Sequence, residues 1–210
     1  MVAPAIWLAF AAIALALALT PGPNMGYLVS RSLTQGRAAG MVSLLGVAVG
    51  FVVYMLLAAF GITALLFAIP YAYDALRLTG AAYLGWMAWN ALRPGGQSPF
   101  EVRAMNPHSA RRLFGMGVMT NLLNPKIAAL YLSLLPQFID RSAGNVLTQT
   151  LILGATQIVI SLTVNALFVF TAGTVASFLL RRPFWGRLQR WIMGTVLGLL
   201  AVRLATDSSR

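Results

Sequence analysis

Thr20-Pro21-Gly22-Pro23-Asn24 interrupts an apolar run that extends from Pro4 to Ser30, and Asn121-Leu122-Leu123-Asn124-Pro125-Lys126 interrupts another, from Leu113 to Ile139. Proline in a helix removes a backbone donor and presses on the preceding turn, so both stretches read as helices broken part-way along. Such a break frees N–H and C=O groups that hydrocarbon cannot satisfy. What the breaks mean therefore depends on whether the runs lie in a bilayer.

Composition answers that. The 210 residues are 59% hydrophobic and 9% charged, against roughly a quarter charged in a soluble domain. An apolar helix needs about 20 residues to cross the hydrocarbon layer. Six spans of that kind can be drawn: Pro4 to Ser30, Ala38 to Ile69, Ala75 to Leu92, Leu113 to Ile139, Val146 to Leu180, and Trp185 or Trp191 to Ala205. The expected fold is an all-α integral membrane protein. Residues 1–92 form a first three-helix half, 93–112 a cytoplasmic linker and 113–210 a second half. The second and fifth runs exceed one crossing and must tilt, break or include an interfacial piece. The first run lacks the basic n-region of a secretory signal and reads as a retained helix.

The formal charge of +11 does not indicate nucleic acid, because the basic residues are scattered through short loops rather than gathered on one solvated surface. They read as topology determinants beside lipid headgroups. Ten of them (Arg31, Arg37, Arg93, Arg103, Arg111, Arg112, Arg181, Arg182, Arg187 and Arg190) follow odd-numbered spans, and four (Arg77, Arg141, Arg203 and Arg210) lie on the other side. Cytoplasmic loops retain Lys and Arg, so both termini are expected outside. Tyr71 and Tyr73 at one face, with Trp86, Trp89, Trp185 and Trp191 toward the other, suit aromatic interface belts.

Asn24 lies seven residues before Arg31 and Asn124 twelve after Arg112, which puts each break about 10 to 18 Å inside the membrane. The breaks fall in the first helix of each half. A half of three spans reverses direction, so the second half enters inverted, and paired interruptions in inverted halves point to a transporter binding site. The competing reading is a pair of kinks that serve packing. Pro23 and Pro125 suit first helical positions, and Asn124 suits an N-cap. Half-helix N-termini favour a carboxylate, while carbonyls around Leu19, Thr20 and Leu122 can accept an ammonium group. A zwitterionic amino acid fits both.

Lys126 is the chain's single lysine. It has three roles open to it: binding a substrate carboxylate, capping carbonyls of the other half, or snorkelling to an interface. Gln157, Ser161 and Asn165 recur every four residues on one helical face, either lining the solute path or bonding helices together. Gly46 with Gly50 and Gly194 with Gly198 permit close helix contact, within the chain or in a homodimer. Asp74 and Asp140 stand at predicted outer ends of spans, as proton acceptors from outside or as plain loop carboxylates. No acid lies at the centre of a span, which speaks against divalent-metal transport. No cysteine, carboxylate pair, Ser/His/Asp set or phosphate loop is present, so neither an enzyme nor a cofactor is expected. The lone His108 lies in a polar loop and is assigned no role.

Three motifs carry a resemblance: Thr20-Pro21-Gly22-Pro23-Asn24 in the first span, Gly36-Arg37-Ala38-Ala39-Gly40 in an Arg31–Gly40 loop, and Asn121-Leu122-Leu123-Asn124-Pro125-Lys126 in the fourth span. Together they resemble the LysE/RhtB family of amino-acid exporters over essentially the full length. The resemblance implies efflux of amino acids or their derivatives from a bacterial inner membrane, driven by an ion gradient. With no central acid, a neutral amino acid such as threonine, homoserine or leucine is expected rather than lysine or arginine. A transporter of another solute, or a non-transporting membrane scaffold, would be the alternative.

Overall fold

The computed structural model describes residues 2–20, 22–62, 72–93 and 107–181, together with individual residues between 184 and 206. Among these every regular element is helical. Helix α1 spans Pro4–Leu19 and α2 spans Pro23–Gln35, each with proline in its first turn. Between them Thr20 is extended (φ −73°, ψ 125°), as a residue preceding proline must be. After α2 the chain turns on one residue, Gly36, whose φ of +86° favours glycine. Helix α3 spans Arg37–Leu57 and runs into a π-helical turn at Ala58–Ile62. Helix α4 is Ala72–Leu92, α5 is Ala110–Leu122 and α6 is Pro125–Ala129, which continues as a π-helical turn (Leu130–Leu134) and a 3-10 turn (Leu135–Phe138). Helix α7 is Val146–Arg181.

Arg37–Phe60 and Val146–Ala172 are each long and apolar enough to cross a membrane, and four segments qualify if each bent pair is one span. The axes of α1 and α2 meet at 49°, and those of α5 and the Lys126–Phe138 segment at 50°. Both expected breaks are thus present, with nearly equal bends. Helix α4 is as long as a crossing helix but carries Asp74, Arg77 and Asn90 and is less apolar. Where the sixth span was expected, the described residues are helical. The fifth run is one unbroken helix of 36 residues, about 54 Å long at helical rise.

One expectation needs correction. The stretch from Arg31 to Gly40 is not a loop: α2 reaches Gln35, and α3 begins one residue after Gly36. Arg31 is therefore a helical residue, only 1% exposed, not a headgroup-facing loop cation. Its guanidinium lies 5.8 Å from the Tyr27 ring centroid and donates to Gln35 Oε1 at 3.1 Å. An aromatic face and an amide oxygen take the place of water.

Helix α3 is central, packed on α2, α5 and α7. Its contact with α5 is backbone on backbone. A Cβ on Gly46 would meet the Phe114 carbonyl, one on Gly117 the Ser43 carbonyl, and one on Gly50 the Asn121 side chain. A Cβ on Gly194 would likewise meet Leu92. The small-residue pairs are thus engaged inside the chain. The core between α1, α2, α3, α7 and the turns that follow α6 holds Phe10, Leu28, Val47, Phe51, Leu135 and Leu153, with Phe10 edge-on to Phe138 at 5.3 Å.

Gly117→Ala should lower stability by about 1–3 kcal/mol, because the Ser43 carbonyl cannot yield without moving α3. Gly115→Ala, two residues away with nothing within 4 Å, should leave stability unchanged or raise it by about 1 kcal/mol. Thermal unfolding of the two proteins in detergent compares them directly.

Candidate functional site

The break between α5 and α6 begins at Asn124, whose extended backbone (ψ 106°) and side chain make it the N-cap of α6. Its Oδ1 accepts from Lys126 N at 3.1 Å, and its carbonyl accepts from Ile127 N and Ala128 N. Pro125, in the first turn, needs no partner for a missing N–H. This start fixes the direction of the next side chain, Lys126.

Lys126 reaches the other break. Its Nζ donates to Leu17 O at 3.0 Å and to Thr20 O at 2.8 Å, and the residue is 6% exposed. Leu17 O also accepts from Thr20 N, and Thr20 Oγ1 donates to Ala16 O at 2.7 Å. The carbonyl end of α1 thus carries a cation, where the helix dipole is negative. The lysine stem passes Gly22, where an added Cβ would stand 3.1 Å from Nζ. A larger residue there would press on the ammonium.

Beside this contact lies a cavity of about 20 Å³, lined among others by Leu17, Asn24, Lys126, Gln157, Ser161 and Asn165. That is room for about one water molecule. Asn24, in the first turn of α2, is 5% exposed, and neither its Oδ1 nor its Nδ2 has a protein partner. Opposite, on α7, Gln157 Nε2 donates to Ser161 Oγ at 2.7 Å and Asn165 Nδ2 to Ser161 O at 2.7 Å. Tyr131 OH donates to Gln157 Oε1 at 2.6 Å. The polar row of α7 thus lines the cavity and also ties α7 to the segment that follows α6.

Of the residues singled out in the sequence, Thr20, Gly22, Asn24, Lys126, Gln157, Ser161 and Asn165 converge here. Pro23 opens α2 but is exposed. Pro21 lies outside the described residues, as does the side chain of Asp74. Asn121 does not line the cavity: it is fully buried against Gly50 of α3, with neither amide atom bonded. Asn124 acts through its cap. Asp140 is exposed and holds a turn, accepting from Ser142 Oγ at 2.6 Å, Ser142 N at 2.9 Å and Ala143 N at 3.3 Å. The Ser142 hydroxyl, then the Ala143 and Ser142 N–H groups, keep its carboxyl below the usual range. Its carboxylate serves this turn in the described conformation.

Four participants were not anticipated. Tyr131 stacks on Tyr54 with centroids 5.7 Å apart, and Tyr54 OH donates to Leu122 O at 2.7 Å, closing the carbonyl end of α5. Near the start of α5, Tyr27 OH donates to Leu113 O, while the Gln35 amide pairs with the His108 backbone through two bonds of 3.0 Å. A tyrosine inside an apolar run was the available signal, but its spacing names no partner.

A family model described as LysE type translocator matches residues 15–208. A leucine efflux protein of Enterobacter sp. (strain 638) is 29% identical over 190 residues, covering 90% of each chain. A homoserine/homoserine lactone efflux protein of Salmonella typhimurium is 30% identical over 200 residues, covering 95% of this chain and 96% of its own. A leucine efflux protein of Klebsiella pneumoniae is 30% identical, covering 91% and 90%. No solved structure matches the chain significantly.

Since the native pKa of Asp140 is depressed, its carboxylate stabilises the turn at all pH above its ordinary value, and this support is lost as pH falls through the lowered one. The amide shifts of Ser142 and Ala143 should titrate only in acid below the ordinary carboxylate range. Asp140→Asn should leave the pH profile of transport unchanged.

Proposed function

Because the chain belongs to the LysE type translocator family, we propose that it is a secondary transporter exporting a small neutral amino acid, or a derivative of one, from the cytoplasm. The observation that carries the reading is Lys126 bonded to the carbonyl end of α1 beside a small cavity with the unpaired amide of Asn24. The carbonyls of Leu17 and Thr20 are acceptors for the substrate's ammonium group. The N-terminus of α2, with Asn24, supplies donors for its carboxylate.

A neutral side chain is supported by the lining: apart from Lys126, assigned to the substrate's charged ends, it holds the uncharged Asn24, Gln157, Ser161 and Asn165 and the apolar Leu17, Met25, Phe51, Ile127 and Leu130. Two of the relatives are named for efflux of leucine and of homoserine, neither of which has a charged side chain. A cavity the size of one water cannot hold an amino acid, so the described conformation is closed in this scheme. The cycle is alternating access, with residues 1–92 and 113–210 as inverted halves rocking about the two breaks. Both termini lie outside a bacterial inner membrane, and an ion gradient drives export.

A panel of radiolabelled amino acids tested for counterflow in proteoliposomes should give exchange with leucine, homoserine or threonine and none with lysine or arginine. Lys126→Ala should slow that exchange by roughly 10–100-fold, the scale of losing a hydrogen-bonded charge. Folded Lys126→Ala and Asn124→Ala proteins that exchange at the native rate would show the site to be elsewhere.

A further inference from the structure

The contact of Lys126 with α1 has a geometry that suits a second tenant. Its Nζ is a primary ammonium held by two main-chain oxygens at 2.8 and 3.0 Å, the bonds that the ammonium of a free amino acid would make with the same pair. Both oxygens are neutral dipoles, so one ammonium can replace another there with no change in net charge. The stem lies against Gly22, a residue with no side chain to bar its movement, and borders the one-water cavity containing Asn24. Lys126 is borne by a five-residue helix that passes at once into π and 3-10 turns, backbone that adjusts more readily than a long α-helix.

We propose that Lys126 is a tethered stand-in for the substrate's ammonium group, filling the Leu17–Thr20 carbonyl site when the transporter is empty and yielding it when a substrate binds. This rests on the exporter reading above and assigns the order of events at its site. The substrate's ammonium takes the two carbonyls, and the displaced Lys126 turns to the substrate's carboxylate. Carboxylate binding and carbonyl capping are then successive states of one side chain. On release, Lys126 returns to the carbonyls. The empty protein never leaves the end of α1 bare in a low-dielectric interior, where unbonded carbonyls are costly. No other cation is needed at those two carbonyls while the transporter is empty.

Replacing Lys126 by Ala deletes Cγ, Cδ, Cε and Nζ, which together are the skeleton of n-propylammonium. In purified Lys126→Ala protein, n-propylammonium at tenfold its Kd should raise Tm by roughly 3–6 °C. Ethylammonium and methylammonium should bind progressively less well, and tetramethylammonium, with no N–H, should have no effect. The native protein should show no such shift, because its site is filled. Lys126→Leu, whose side chain refills the space of the stem as far as Cδ, should fold and show no n-propylammonium shift, and a shift as large as that of Lys126→Ala would put the binding elsewhere and overturn the proposal.

A native readout is independent of any variant. Lys126 is the only lysine, so [ε-15N]lysine labelling gives one ammonium resonance, which the amino acid with the fastest counterflow should shift at saturation. An unmoved resonance under saturating transported substrate, or a folded Lys126→Ala protein indifferent to n-propylammonium, overturns the proposal while leaving the exporter reading standing. Ammonium binding by Lys126→Ala without any amino-acid exchange by the native protein would do the opposite: the site would stand and the exporter reading would fall.

Discussion

Everything in this protein turns on the treatment of backbone groups released where a helix is broken inside an apolar surround. Water would satisfy them at a surface. Here the carbonyl end of α1 is satisfied by an ammonium group from a residue more than a hundred positions away, at 2.8 and 3.0 Å. That single contact joins the two breaks, explains a buried lysine whose partners are carbonyl dipoles rather than a carboxylate, and positions the polar cavity.

The two breaks bend alike but are closed by different chemistry. At the first, the acceptors are Leu17 O and Thr20 O and the donor is the ammonium of Lys126. At the second, Leu122 O receives the phenol of Tyr54, itself stacked on Tyr131. The one is a neutral phenol held in an aromatic stack, the other an ammonium at the end of a long side chain. The asymmetry leaves a mobile cation at one break and an aromatic stack at the other. Close approach at Gly46, Gly50 and Gly117 packs α5, up to the second break, against α3.

Much of this was legible in the residue order. The proline positions, the cap at Asn124 and the periodicity of Gln157, Ser161 and Asn165 are local features, and the backbone rules that make them readable act over a few residues. Arg31 is the instructive miss. Its charge suggested a loop, yet Tyr27 and Gln35, four residues to either side on the same helix, let it lie buried. Asn121 misled in the other direction: its place in the break motif suggested the site, but packing turned it toward Gly50.

The sequence by itself determined the class of the protein, an all-helical membrane chain with two interrupted spans, because apolar length and proline sterics need no partner to act. Only the tertiary structure decided which of the three roles open to Lys126 it fills here, that Asn24 faces the cavity while Asn121 does not, and that Tyr54 closes the second break. Those outcomes depend on distances between segments far apart in the chain, and a side chain's donors reveal nothing about their acceptors until folding has brought the acceptors within reach.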